Sequence, residues 1–198
     1  MQKFPKEFVF LYPIHEIFNH LIKKHGRRYK GGIKAFKNKY QDTLNQCIDI
    51  RYRQRNFGIN FVIPKESPIS DIIKLQPSDR IIKTGLDYEI HNIKKSKKER
   101  IYTTEEYILS QIENTAIVYV AGFYMWNYVE WLAKTAYENE LCVLVDEDLT
   151  EFLSVRIKKP DFKIDTYPGY DPVKNLCKKT LCAFIKKRRE KPWLWQAY

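Results

Sequence analysis

Along the first 150 residues, short continuous apolar runs alternate with stretches in which apolar positions recur every three or four residues. Continuous runs suit strands buried on both faces, and the longer spacing suits helices with one buried face. The alternation therefore predicts a parallel sheet whose crossovers are helices. Residues 8–12, Phe-Val-Phe-Leu-Tyr, read as a first buried strand that Pro13 ends. Ile14, Phe18, Leu21 and Ile22 mark an amphipathic helix closed by His25 and Gly26, with Lys23 and Lys24 where cations complement the helix dipole. A second helix is expected through 35–47, a strand at 60–63 between Gly58 and Pro64, and a short strand at 79–84.

The basic stretch 94–100 reads as an exposed loop. Thr103 or Thr104 then caps a helix whose first turn carries Glu105 and Glu106 and which runs to about Asn114. Residues 116–122 form an apolar strand ending in glycine, residues 127–139 a helix, and residues 141–145 a further strand finishing in the acidic cluster Asp146, Glu147 and Asp148, which reads as a solvated acidic turn. Beyond Thr150 the pattern gives a strand at 152–157, a turn-rich connector over 160–172 and a basic terminal helix at 173–189. These elements predict an α/β fold of three layers, α/β/α, around a doubly wound, mainly parallel, Rossmann-like sheet. At 198 residues the chain suits one domain, with a basic C-terminal extension from about 150.

Composition narrows the class. With 44% hydrophobic and 30% charged residues the chain reads as globular, and no apolar run reaches the roughly 20 residues of a membrane helix. The first seven residues lack a signal-peptide h-region, so a cytoplasmic location is expected. Cys47, Cys142, Cys177 and Cys182 lack C-x-x-C spacing, and His15, His20, His25 and His91 are scattered, so neither a disulfide framework nor a metal site is expected and no cofactor is implied. The net charge of +11 raises an anionic partner. Its peaks at 23–39, 94–100 and 178–191 lack a nucleic-acid reading motif, so nucleic acid is an alternative rather than the favoured partner.

The unit Val120-Ala-Gly122-Phe-Tyr-Met-Trp-Asn-Tyr128-Val129, followed by Ala136 and then Cys142 to Asp148, resembles the strand-helix-strand segment of the isochorismatase and nicotinamidase group of cysteine hydrolases. The strand at 79–84 with Lys83, and the first strand ending at Tyr12, are similar to two further elements of that group, so the resemblance spans residues 8–148. It implies an aspartate, a lysine and a nucleophilic cysteine converging at the carboxyl ends of the strands. The lysine and carboxylate would activate the thiol, and backbone N–H groups at the helix start would hold the oxyanion. At the matching positions this chain has Tyr12 for the aspartate, Lys83 for the lysine, and Tyr128 or Val129 for the cysteine. A phenol of pKa about 10 cannot replace the thiol, so the implied reading is a homologue without the parent thiol chemistry, or a hydrolase with a displaced nucleophile.

Phe123, Tyr124, Trp126 and His15 cluster by sequence near the same strand ends. With Lys83 they would suit a small planar or anionic ligand, by stacking and charge pairing. The aromatic residues fit core or dimer contacts equally, which leaves a homo-oligomer open. A rival pattern, Asp146 with Asp161 and Lys163, matches the acid and D-x-K spacing of metal-dependent nucleases, provided that the fold brings the acids within reach of one ion.

Overall fold

Strand residues that point to opposite faces are apolar on both, and the chain folds as that pattern demands. The computed structural model describes residues 5–64, 72–84, 102–112, 115–166 and 190–194. Its strands are β1 (Lys6–Leu11), β2 (Gly58–Pro64), β3 (Arg80–Thr84), β4 (Ile117–Gly122) and β5 (Cys142–Thr150). They form one sheet in the order β3-β2-β1-β4-β5, with every neighbouring pair parallel. Helices α1 (His15–Gly26) and α2 (Gly32–Arg51) connect β1 to β2, α3 (Glu105–Ser110) lies between β3 and β4, α4 (Glu130–Glu138) joins β4 to β5, and α5 (Leu153–Arg156) follows β5.

Phe8, Phe10 and Tyr12, with Phe61, Tyr119 and Phe123, face Phe18 of α1 and Phe36, Tyr40, Leu44 and Ile48 of α2 in one core. Val9, Leu11, Val62, Val118 and Val120 face Ile108 of α3 and Leu132, Ala133 and Ala136 of α4 in the other. The two-residue period of the strands thus sorts large aromatic side chains to one side of the sheet and small branched ones to the other. This is the expected three-layer, doubly wound α/β arrangement. Thr104 caps α3, its Oγ1 accepting from the Tyr107 N–H at 3.3 Å.

Two elements differ from the sequence reading. Residues 152–157 hold the short helix α5 instead of a strand: the Arg156 and Ile157 N–H groups bond to the Phe152 and Leu153 carbonyls, and Leu153 and Ser154, adjacent rather than alternating, are the buried pair. The Ser154 hydroxyl donates to the Glu151 carbonyl at 2.7 Å and tightens that turn. Strand β5 also does not stop at Val145 but runs through the acidic residues to Thr150. The basic stretch 94–100 and the helix expected at 173–189 lie outside the described residues. Of the C-terminal extension, residues 190–194 dock on α4: Leu194 is fully buried in the second core, Lys191 pairs with Glu130, and Trp193 packs against Tyr137. Among the described residues no helix is long and apolar enough to cross a membrane.

Candidate functional site

With all strands parallel, their carboxyl ends lie along one side of the sheet, and the order reverses between β1 and β4. The chain leaves β1 toward β2 and β3 and returns on the other flank, so the connections part above these two strands and open a crevice. The turn after β4 is built for close approach to β1. Gly122 has φ +114°, and a Cβ there would strike the Leu11 backbone, while the Phe123 N–H donates to the Leu11 carbonyl at 3.0 Å. Tyr124 adopts a left-handed conformation, φ +68°. The following turn, Met125–Val129, is π-helical, and the Val129 N–H reaches back five residues to the Tyr124 carbonyl.

This geometry leaves the N–H groups of Tyr124 and Met125 pointing out of the start of the helical segment, the usual cradle for an anion. A side chain of the protein fills it. The Glu151 carboxylate, from just beyond β5, accepts from Tyr124 N–H at 2.6 Å and from Met125 N–H at 3.1 and 3.2 Å. Burial pushes the Glu151 carboxyl above its ordinary range, and the donated backbone hydrogen bonds pull it partly back.

Around the turn lies a chain of aromatic rings. Tyr102 stands edge-on to Tyr124 and Tyr128 at 6.4 and 5.1 Å, and Tyr128 to Trp131 at 5.0 Å. The Tyr102 hydroxyl donates to the Tyr12 carbonyl and ties the approach to α3 onto the end of β1. Trp126 and Phe152, 38% and 37% exposed, form an edge-to-face pair with centroids 6.4 Å apart. The buried polar atoms without a hydrogen-bond partner among the described residues include the Tyr124 hydroxyl, the Tyr40 hydroxyl and His15 Nδ1. Burial raises the Tyr40 and Tyr124 phenols well above their ordinary pKa of 10, and the Glu151 charge adds to it in both.

The residues singled out from sequence fall into three groups. Tyr124, Trp126, Tyr128 and His15 lie at the β1 and β4 ends, on the connecting turn and the first position of α1. Tyr12 and Phe123 are there too, but at 1% and 0% exposure their side chains belong to the aromatic core beneath. Lys83 is elsewhere. It is exposed on β3, paired in register with Ile63, with β2 and β1 between it and β4. At about 4.8 Å per strand the offset is roughly 14 Å, so the structure does not bring Lys83 beside Tyr128. Glu151, Tyr102 and Tyr40 were missed in the sequence, since no motif marks them and each acquires its place through long-range packing.

Asp146 and Asp148 are not a solvated acidic turn. Both are buried within β5, where the Arg51 guanidinium, 0% exposed, donates to Asp146 Oδ1 and Oδ2 at 3.1 and 3.0 Å and to Asp148 Oδ2 at 3.1 Å. Tyr52 donates to Asp146 at 2.5 Å and Arg156 to Asp148 at 2.9 Å. Burial drives the Asp146 carboxyl up and the Arg51 charge draws it back, while the two carboxylates hold Arg51 firmly protonated. Asp146 is thereby engaged by cation and phenol, Asp161 is exposed on a turn beyond α5, and no cluster of metal-ligating side chains occurs among the described residues. Cys177 and Cys182 lie outside the described residues, and the two described thiols are no better placed for chemistry. Cys47 is buried on α2 with its pKa pushed up to about 12 by burial, and Cys142 begins β5, at the opposite end of the sheet from the crevice.

No protein-family model and no curated protein matches the chain. Among solved structures it is similar to an isochorismatase family protein, with 20% identity and a TM-score of 0.40 over 73% of this chain and 80% of the other. It is also similar to a protein assigned by name as a MAR1 ribonuclease from Leishmania major, with 10% identity and a TM-score of 0.39 over 75% of this chain and 65% of the other, just under two thirds of that protein's length. Likenesses of this size carry no residue correspondence; the fold rests on the sheet order and the two cores.

Proposed function

We propose that this chain is a single isochorismatase-like domain that binds a small planar ligand at the β1/β4 crevice and does not perform thiol hydrolysis. The observation that carries this reading is the seating of Glu151 on the N–H groups of Tyr124 and Met125. In a hydrolase of the resembling group, such donors at the start of the helix must be free to receive the oxyanion of the tetrahedral intermediate. Here a carboxylate of the protein already occupies them, and an oxyanion there would meet a like charge. Among the described thiols, Cys47 is buried on α2 and Cys142 lies at the opposite end of the sheet from the crevice, which supports the same reading.

What the crevice offers at its surface is aromatic: the half-open Trp126–Phe152 pair for stacking. Lys83 is too far across the sheet to supply the charge, so planarity rather than charge selects the ligand. A reducing cytoplasm suits the buried thiol of Cys47. The experiment is an amidase assay with nicotinamide and related planar amides, before and after iodoacetamide, alongside fluorescence-monitored binding of the same compounds to wild type and Trp126→Ala. We expect no thiol-sensitive turnover, and binding that Trp126→Ala weakens about tenfold, the worth of one stacked contact. Turnover abolished by iodoacetamide would overturn the proposal.

A further inference from the structure

Away from the crevice, the last turns of α1 and the loop after it wall a cleft of about 540 Å³ lined by His20, Lys23, Lys24, Arg27, Arg28 and Lys158, with His25 at its side. No acidic residue lines it among the described residues. The five lysines and arginines are exposed, and no ion pair involves any of them among the described residues. Among the described residues nothing compensates the field that they create.

The ordinary explanation of basic residues at a helix end is the dipole, and it accounts for Lys23 and Lys24 in the last turn of α1. It does not account for Arg27 and Arg28 beyond that end, nor for Lys158, which arrives from the turn after α5. Lys158 is held in place: its ammonium donates to the His25 carbonyl at 3.1 Å and lies 4.9 Å over the Phe36 ring. Desolvation and the charges of Lys158 and Lys24 depress the His25 imidazole, as expected where cations crowd together. Five positive charges in one small cleft repel each other, and an anion of several charges removes that repulsion where a monovalent one leaves most of it.

We infer that this cleft binds a small anion bearing two or more phosphate groups, at a site separate from the aromatic crevice. The volume falls within the range of roughly 300–1,000 Å³ typical of small-molecule sites. The adjacent Arg27 and Arg28 offer forked donors matched to phosphate oxygens, and the lysines serve as mobile point charges.

The test is isothermal titration with inorganic tripolyphosphate, pyrophosphate, orthophosphate and a 20-nucleotide single strand, at constant physiological ionic strength. It is run on wild type, on Arg27→Ser/Arg28→Ser and, as a control for net charge, on Lys134→Ser, which removes an exposed lysine of α4 outside the cleft. Circular dichroism and the unliganded Tm confirm that each variant is folded. Tripolyphosphate is expected to bind at least tenfold tighter than orthophosphate, to lose at least tenfold in the double-arginine variant and to be unaffected by Lys134→Ser. The inference is overturned if tripolyphosphate binds no better than orthophosphate, if the double variant matches wild type, or if Lys134→Ser weakens binding equally. It is also overturned if the oligonucleotide outcompetes tripolyphosphate, which would make the cleft part of a nucleic-acid surface. Trp126→Ala leaves this binding intact, so failure here and failure of the crevice proposal are distinguishable.

Discussion

Replacing Arg51 by methionine removes the guanidinium that joins α2 to β5 while nearly preserving side-chain length. Four partners lose their donor together: the Asp146 and Asp148 carboxylates and the carbonyls of Lys163 and Ile164, which accept from Arg51 at 2.7 Å each. Arg156 and Tyr52 still reach Asp148 and Asp146, but one phenol does not neutralise a buried carboxylate. Breaking a buried pair from one side costs about 3–5 kcal/mol, because the remaining charge is stranded. Against a total stability of about 5–15 kcal/mol this is a large share, and at about 2–4 °C per kcal/mol for a chain of this size Tm falls by about 6–20 °C. The sign of the pH dependence follows. With Arg51 gone, the buried Asp146 carboxyl holds its proton to a higher pH in the folded than in the unfolded chain, so the variant loses stability as pH rises through that window, and its deficit is smallest below about pH 4. Urea denaturation at pH 4, 5.5 and 7 reads the effect, and Arg51→Met/Asp146→Asn should recover part of the loss at pH 7. A loss under about 1 kcal/mol at pH 7 would show that the carboxylates find other compensation, and the buried network would then not be what anchors β5.

Two further outcomes follow from the turn after β4. Gly122→Ala combines a left-handed φ with a Cβ against the Leu11 backbone and should cost about 2 kcal/mol or more; a urea midpoint matching wild type would contradict the turn geometry. The folded chain holds the Glu151 proton to a pH above its ordinary 4.5, so stability declines as pH rises from there through the raised value. Glu151→Gln should flatten that part of the stability profile, and an unchanged slope from denaturation between pH 4 and 7 would assign it to another group.

The hydrophobic pattern by itself determined the class of fold. Continuous apolar runs such as 8–12 and 116–122 leave no polar face, and only a sheet covered on both sides can bury them. The helical spacing between them fixed what does the covering. Pro13, Gly58, Pro64 and Gly122 placed the strand ends within a residue or two, since each restricts the backbone locally. The pattern failed where the partner was distant. Asp146 and Asp148 read as a solvated end to β5 because nothing nearby in sequence announces that Arg51, some 95 residues away, will neutralise them inside the core. Residues 152–157 carry enough β-formers for a strand, but burying the adjacent Leu153 and Ser154 against the aromatic core requires a helical turn rather than the alternation of a strand.

The site divides in the same way. That Tyr124, Trp126, Tyr128 and His15 would lie at the carboxyl ends of β1 and β4 was legible, because each follows one of those strands closely in sequence and the two strands pair. Lys83 was not legible, because strand order is set by which sheet edge each crossover reaches, and that choice left β3 two strands beyond β1. The seating of Glu151 on the Tyr124 and Met125 N–H groups and the joining of Lys158 to the end of α1 are products of tertiary structure alone. Hydrogen bonds and charge clusters act over a few ångströms, and only the packed chain decides which residues from remote segments come that close.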